Sequence, residues 1–203
     1  MTDQMEPKVG LACALAVLED AVGLVQAADL GGLSPREELA LVRRLEVLRR
    51  RLDHGTDVAA GHLDASAAFS LDGHKTAKGA LKAIGRLSGS EAHGRVQTSR
   101  ALRRLPLVEA AYAEGRIPTE HVRAIARTIS NPRGAEHVAD ADPIFARHAT
   151  TLGYDDFVAA LKVWEAFADA DGADQGSELS HERRNASLLE SGIDGSFRLE
   201  AIH

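Results

Sequence analysis

The chain has 203 residues, 44% of them hydrophobic and 27% charged, with a formal net charge of −6. That length supports one good core or two small ones, and the composition excludes a disordered polar chain. A single cysteine, Cys13, excludes an intramolecular disulfide framework and any cysteine-based zinc site. Only 4% of residues are aromatic, while Ala and Leu are abundant, so packed helices are favoured over a β-sandwich. No apolar run reaches spanning length, and the opening MTDQMEPKVG lacks a basic segment followed by an apolar one. The expectation is a soluble cytoplasmic protein with no membrane partner.

The first predicted helix runs from about 9 to 30, with apolar Leu11, Leu15, Leu18, Val22 and Val25 at helical spacing and Cys13 expected in the core. Gly31 and Gly32 end it. Ser34, Pro35 and Glu37 form the start signature of a second helix over about 34–63, with a stripe of Leu41, Leu45, Leu48 and Leu52. Its arginines 43, 44, 49, 50 and 51 read as a solvated face paired with local Glu. Asp72-Gly73 marks a turn, and short helices follow at about 75–84, 88–104, 106–114 and 118–130. Ser88 and Glu91 give a second capping box, and Pro106 and Pro118 open the helices that follow them. Two more helices, about 134–150 and 154–169, precede an acidic loop, DADGADQGSE. Phe157, Leu161, Trp164 and Phe167 share one face of the last helix and are expected in the core. The closing segment alternates around Asp194-Gly195 and predicts a β-hairpin whose second strand continues to the last residues, as in a piece of a longer polypeptide or a hairpin that pairs with a partner. The predicted fold class is mainly α, a multi-helix bundle containing a helix-turn-helix, with a C-terminal β-hairpin. The expected regions are 1–73 (long helices, with a dimer seam), 74–133 (basic) and 134–203.

Charge is distributed unevenly along this pattern. Between His74 and Arg133 there are twelve Lys and Arg against four Glu, a net of +8 in a chain whose total is −6. Such segregation points to a polyanion-facing surface, with double-stranded DNA as the first candidate partner. Within 76–129, a short helix containing Ala80, Leu81 and Ile84, a turn at Gly85 and a second helix from Ser88 follow helix-turn-helix order. Val96 and Leu102 are expected inward. Arg95, Arg100 and Arg103 are expected exposed, alongside His93 and Gln97. The Ser88 end offers backbone N–H groups to a phosphate. Arg95 and Gln97 have the chemistry to read base edges, whereas Lys75, Lys78, Lys82 and Arg104 suit backbone contact.

The same stretch resembles the helix-turn-helix of ParB partition proteins. The matching residues are Ser88, Leu105-Pro106 and the run from Gly115-Arg116-Ile117-Pro118 through His121-Val122-Arg123-Ala124. The CTP-binding signature of that family is absent, so that activity is not implied. Over most of 34–203 the chain is similar to another family, domain of unknown function 222, the helical N-terminal region of actinobacterial HNH-endonuclease proteins. The residues that carry this likeness are Ala101 through Pro106, Ala113-Glu114-Gly115-Arg116-Ile117, His121 through Arg127, the loop Ala170-Asp171-Gly172-Ala173, Glu182-Arg183-Arg184 and Asp194-Gly195. The resemblance implies a C-terminal HNH nuclease, missing here, that cuts DNA with a divalent cation. No nuclease residue is assignable, and no cofactor is implied for this chain.

Other motifs read as structural. His121 is expected to pack or cap rather than bind phosphate. Asp169, Asp171 and Asp174 lack the glycine and terminal Glu of a calcium loop. The combined expectation is a non-catalytic DNA-binding and scaffold region of an HNH-endonuclease-like protein. The alternative is a protein-interaction or oligomerisation module that does not bind DNA, its basic segment neutralised by flanks of −5 and −9 (residues 1–73 and 134–203).

Overall fold

A computed structural model describes residues 6–168, 187–190 and 197–200. The chain forms two compact units, Met1–Leu45 and Glu46–His203. In the first, helix α1 spans Glu6–Gln26 and helix α2 begins at Pro35, running on to Ser66. The Ser34–Glu37 box forms as expected: Ser34 N–H and Oγ–H donate to Glu37 Oε2 at 2.8 and 2.7 Å, and Glu37 N–H returns to Ser34 Oγ at 3.4 Å. Every described side chain of α1 from Gly10 onward is exposed. Cys13 is therefore exposed rather than in the core, because among the described residues no element of its unit covers the helix.

The second unit is built on α3 (Ala77–Ile84), α4 (Gly89–Leu102), α5 (Pro106–Ala113), α6 (Thr119–Thr128), α7 (Val138–Thr151) and α8 (Tyr154–Ala168), with the C-terminal part of α2. Helix α4 packs on α3 and α6, α5 on α7, and α6 on α8. One core joins Leu105, Val108 and Tyr112 to Ile117, Val122 and Ile125, then to Val138, Phe145, Phe157 and Leu161. Each such side chain contributes about 1.5–3 kcal/mol by leaving water. Trp164 packs edge-on to Phe145 with ring centroids 5.0 Å apart, but Phe167 is 80% exposed. The core face of α8 is therefore narrower than the sequence pattern suggests.

Two glycines set close approaches. Neither Gly55 nor Gly61 breaks α2; a Cβ on Gly61 would lie 3.0 Å from Ser99 Cβ, so its absence lets α2 and α4 meet. Gly115, in the turn after α5, has φ +76°, and a Cβ there would lie 2.7 Å from Val47 O. Helix α5 has no side-chain cap of its own at Leu105. Buried Asp142 of α7 supplies it instead, accepting from Leu107 N–H at 2.8 Å and Val108 N–H at 3.0 Å.

The fold is all-α, which corrects the expectation of a bundle completed by a C-terminal β-hairpin. No strand or sheet occurs within the packed body among the described residues. Among the described residues, strands β1 (Ser187–Glu190) and β2 (Phe197–Glu200) pair with each other alone, and a ribbon of two four-residue strands has no independent stability. The Asp194-Gly195 turn and the acidic loop with Asp169, Asp171 and Asp174 lie outside the described residues.

Candidate nucleic-acid interface

The basic segment is organised by the turn between α3 and α4. Thr76 starts α3, accepting from Gly79 N–H at 3.1 Å. At its end Gly85 is right-handed and Arg86 carries the positive φ, +50°. Leu87 N–H closes the turn on Lys82 O at 3.2 Å, the pattern in which the left-handed residue is ordinarily glycine. The turn expected at Gly85 thus bends at Arg86. Ser88 caps α4 by accepting from Glu91 N–H at 3.0 Å. The return half of that expected box does not form, because the Glu91 carboxylate turns to Arg95 and Arg123.

From Gly89, positions 93, 97, 100 and 104 fall on one side of a helix with 100° per residue. His93, Gln97 and Arg100 form that stripe on α4, and Arg104 continues it in the following turn. They line an open groove of about 280 Å³ facing Ala126, Ile129 and Ser130 of α6 and its end. A neighbouring hollow of about 330 Å³ takes His93 and Gln97 together with Ser90, Arg123 and Arg127. Lys78 reaches the N-terminal end of the stripe, its Cε 4.0 Å from where a Gly89 Cβ would stand. Lys75, Lys78 and Lys82 are exposed, and their ammonium groups engage no ion pair or hydrogen bond among the described residues. Ser88 and Ser90 share a hydrogen bond of 2.9 Å at the helix start.

The arginines divide. Arg95 lies off the stripe and is half-buried, which corrects the expectation that it is exposed. Its Nε donates to Glu91 Oε1 at 3.0 Å, while Arg123 donates two bonds of 2.8 and 2.6 Å to the same carboxylate. Burial opposes ionisation of Glu91, but the bonds from Arg123 and Arg95 overcome it and hold its pKa below the usual range. Arg100 is exposed but paired bidentately with Asp64. Arg103 is exposed and lines a separate hollow of about 380 Å³ with Gly61, His62 and Glu109. Arg104 donates to Ala135 O at 3.0 Å and keeps its charge unanswered by any carboxylate among the described residues.

Sequence reasoning missed Arg127 of α6 and Ser130 just past its end, which face the stripe. The i, i+4 spacing of Arg123 and Arg127 was the available signal. His121 is buried. It stacks on Phe157 at 4.7 Å and its Nε2 lies 3.2 Å from Leu152 O, so it packs, and burial lowers its pKa. Asp57 of α2 is also buried, accepting from Tyr112 O–H at 3.2 Å; burial raises its pKa to about 6. Thr119 Oγ donates to Asp53 at 2.7 Å beside it. These bonds fasten α2 to α5 and α6.

The family model described as Domain of unknown function (DUF222) matches residues 39–198. The chain belongs to the DUF222 family. No curated protein and no solved structure matches it. The DUF222 span contains the whole basic stripe and starts after α1, which stands outside it. Among the described residues of this DUF222 chain, no helix is long and apolar enough to cross a membrane.

Proposed function

We propose that this chain is the DNA-binding and scaffold region of an HNH-endonuclease-like protein, non-catalytic on its own. In this reading α3 and α4 act as a helix-turn-helix in the ParB-like order, with α6 behind them. A C-terminal nuclease would be held over the bound duplex. The observation that carries it is the alignment of Lys78, His93, Gln97 and Arg104 along one open edge of α4. A helix of this kind presents long polar side chains to the major groove and flanks them with phosphate contacts. Lys75, Lys78, Lys82 and Arg104 neutralise phosphate, while Gln97 and His93 supply what base discrimination exists.

Fluorescence anisotropy with labelled mixed-sequence duplex across a salt series tests the reading. Four phosphate contacts give a log–log salt slope of about −3.6. Lys78→Glu with Arg104→Glu abolishes binding and leaves the melting curve in place. Absence of binding at low salt, or binding unchanged in that variant, would make this surface a scaffold face.

A further inference from the structure

The first unit carries a surface that the DNA reading does not use. Between Gly10 and Gln26, α1 has two charged residues, Glu19 and Asp20, and is otherwise almost entirely apolar. A helix apolar on all sides is ordinarily buried, and an isolated helix of this length is marginal in water. Yet Leu11, Leu15, Val22, Leu24 and Val25 are each between 44% and 75% exposed. Nor does α2 cover them, since its first turns expose Leu39 and Val42 by 58% and 59%.

We propose that two copies of this chain associate through α1 and the first three turns of α2, forming a four-helix seam. The unit exposes eleven Leu and Val side chains, and their combined apolar area is on the order of 1,000 Å². A stable interface buries about 800 Å² per partner, so the seam must take in most of this apolar area. Charge selects the arrangement. Helix α1 offers Glu19 and Asp20 and no base after Lys8, whereas the first three turns of α2 open with Arg36, Glu37 and Glu38 and end on the basic pair Arg43 and Arg44. Setting α1 of each copy against α2 of the other satisfies both charges twice, as a two-fold symmetric interface requires. The same acidic pair opposes a bilayer as the occupant, since an ionised carboxylate is costly to bury in hydrocarbon. A dimer also spaces two copies of the basic stripe, but the seam does not depend on DNA binding.

Sedimentation equilibrium of the whole chain over a concentration series, without DNA, tests this. The expected result is a dimer mass at about 50 µM that falls to the monomer in Leu15→Glu/Val22→Glu. Glu19→Arg/Asp20→Arg weakens association roughly tenfold, and adding Arg43→Glu/Arg44→Glu restores it, because the swapped charges pair again. All three sets of changes lie in the first unit, so an unchanged melt of the second unit shows that the body remains folded. A chain that is monomeric throughout overturns the proposal, as does a dimer that survives Leu15→Glu/Val22→Glu. Association unmoved by the charge swap overturns the α1-against-α2 pairing, and co-sedimentation of monomers with neutral phosphatidylcholine vesicles identifies lipid as the occupant instead.

Discussion

Arg100 and Asp64 face each other across α4 and α2, with Nε and Nη2 donating to the two carboxylate oxygens at 2.8 Å each. The hydrogen bonds hold the Asp64 pKa below the usual range. The Arg100 side chain is 61% exposed on the stripe and that of Asp64 15%, so the arginine is accessible while its charge is answered internally. An acidic flank therefore tempers the basic segment at one defined point.

Releasing that arginine should strengthen DNA binding. Asp64→Asn leaves Arg100 able to meet a phosphate, and the salt slope should steepen by about one unit. Because Arg100 is mostly exposed, the stability change should stay within about 1 kcal/mol. Anisotropy at two salt concentrations decides it; an unchanged slope would remove Arg100 from the interface.

The Asp142 cap should matter far more to folding than any residue of the stripe. It satisfies two backbone N–H groups of α5 from a buried position, and α5 has no local substitute. Asp142→Ala should cost about 2–4 kcal/mol by leaving those donors unpaired, whereas Asp142→Asn, which keeps one acceptor, should cost less. Urea denaturation of both variants gives the comparison, and equal midpoints would contradict the capping role.

Two left-handed residues should respond in opposite directions. Gly115→Ala places a Cβ against Val47 O at φ +76° and should destabilise by about 2 kcal/mol or more. Arg86→Gly removes a side chain from φ +50° and should stabilise by about 0.5–1 kcal/mol. If thermal melts show Arg86→Gly to be neutral or worse, the Arg86 side chain makes a stabilising contact that outweighs the backbone term.

Asp57 predicts a pH dependence with a definite sign. Its folded pKa of about 6 exceeds the unfolded value near 3.9, so the folded state holds a proton that the unfolded state releases between those values. Asp57 therefore lowers stability progressively as pH rises from about 4 to 6, reaching about 3 kcal/mol and staying level above. Asp57→Asn keeps an acceptor for Tyr112 without the charge. Its stability gain over the parent should be absent near pH 4 and full by pH 7. A gain independent of pH would mean that the carboxyl does not titrate in this window.

The sequence by itself determined the succession of helices and most of their ends, because caps, prolines and glycines act locally. Ser34, Thr76 and Ser88 each begin a helix through a hydrogen bond with the residue three positions on, and Pro106 stands at the first position of its own. It also determined the +8 segment, since charge depends on composition alone. Tertiary structure decided which of those charges remain available. Arg95 and Arg100 look alike in the sequence, but one is drawn to Glu91 with Arg123 and the other to Asp64, 36 positions away. It decided that Cys13 and the leucines of α1 are exposed despite an apolar pattern like that of a core helix. Periodicity specifies a face, and only the packing of distant elements specifies what that face meets.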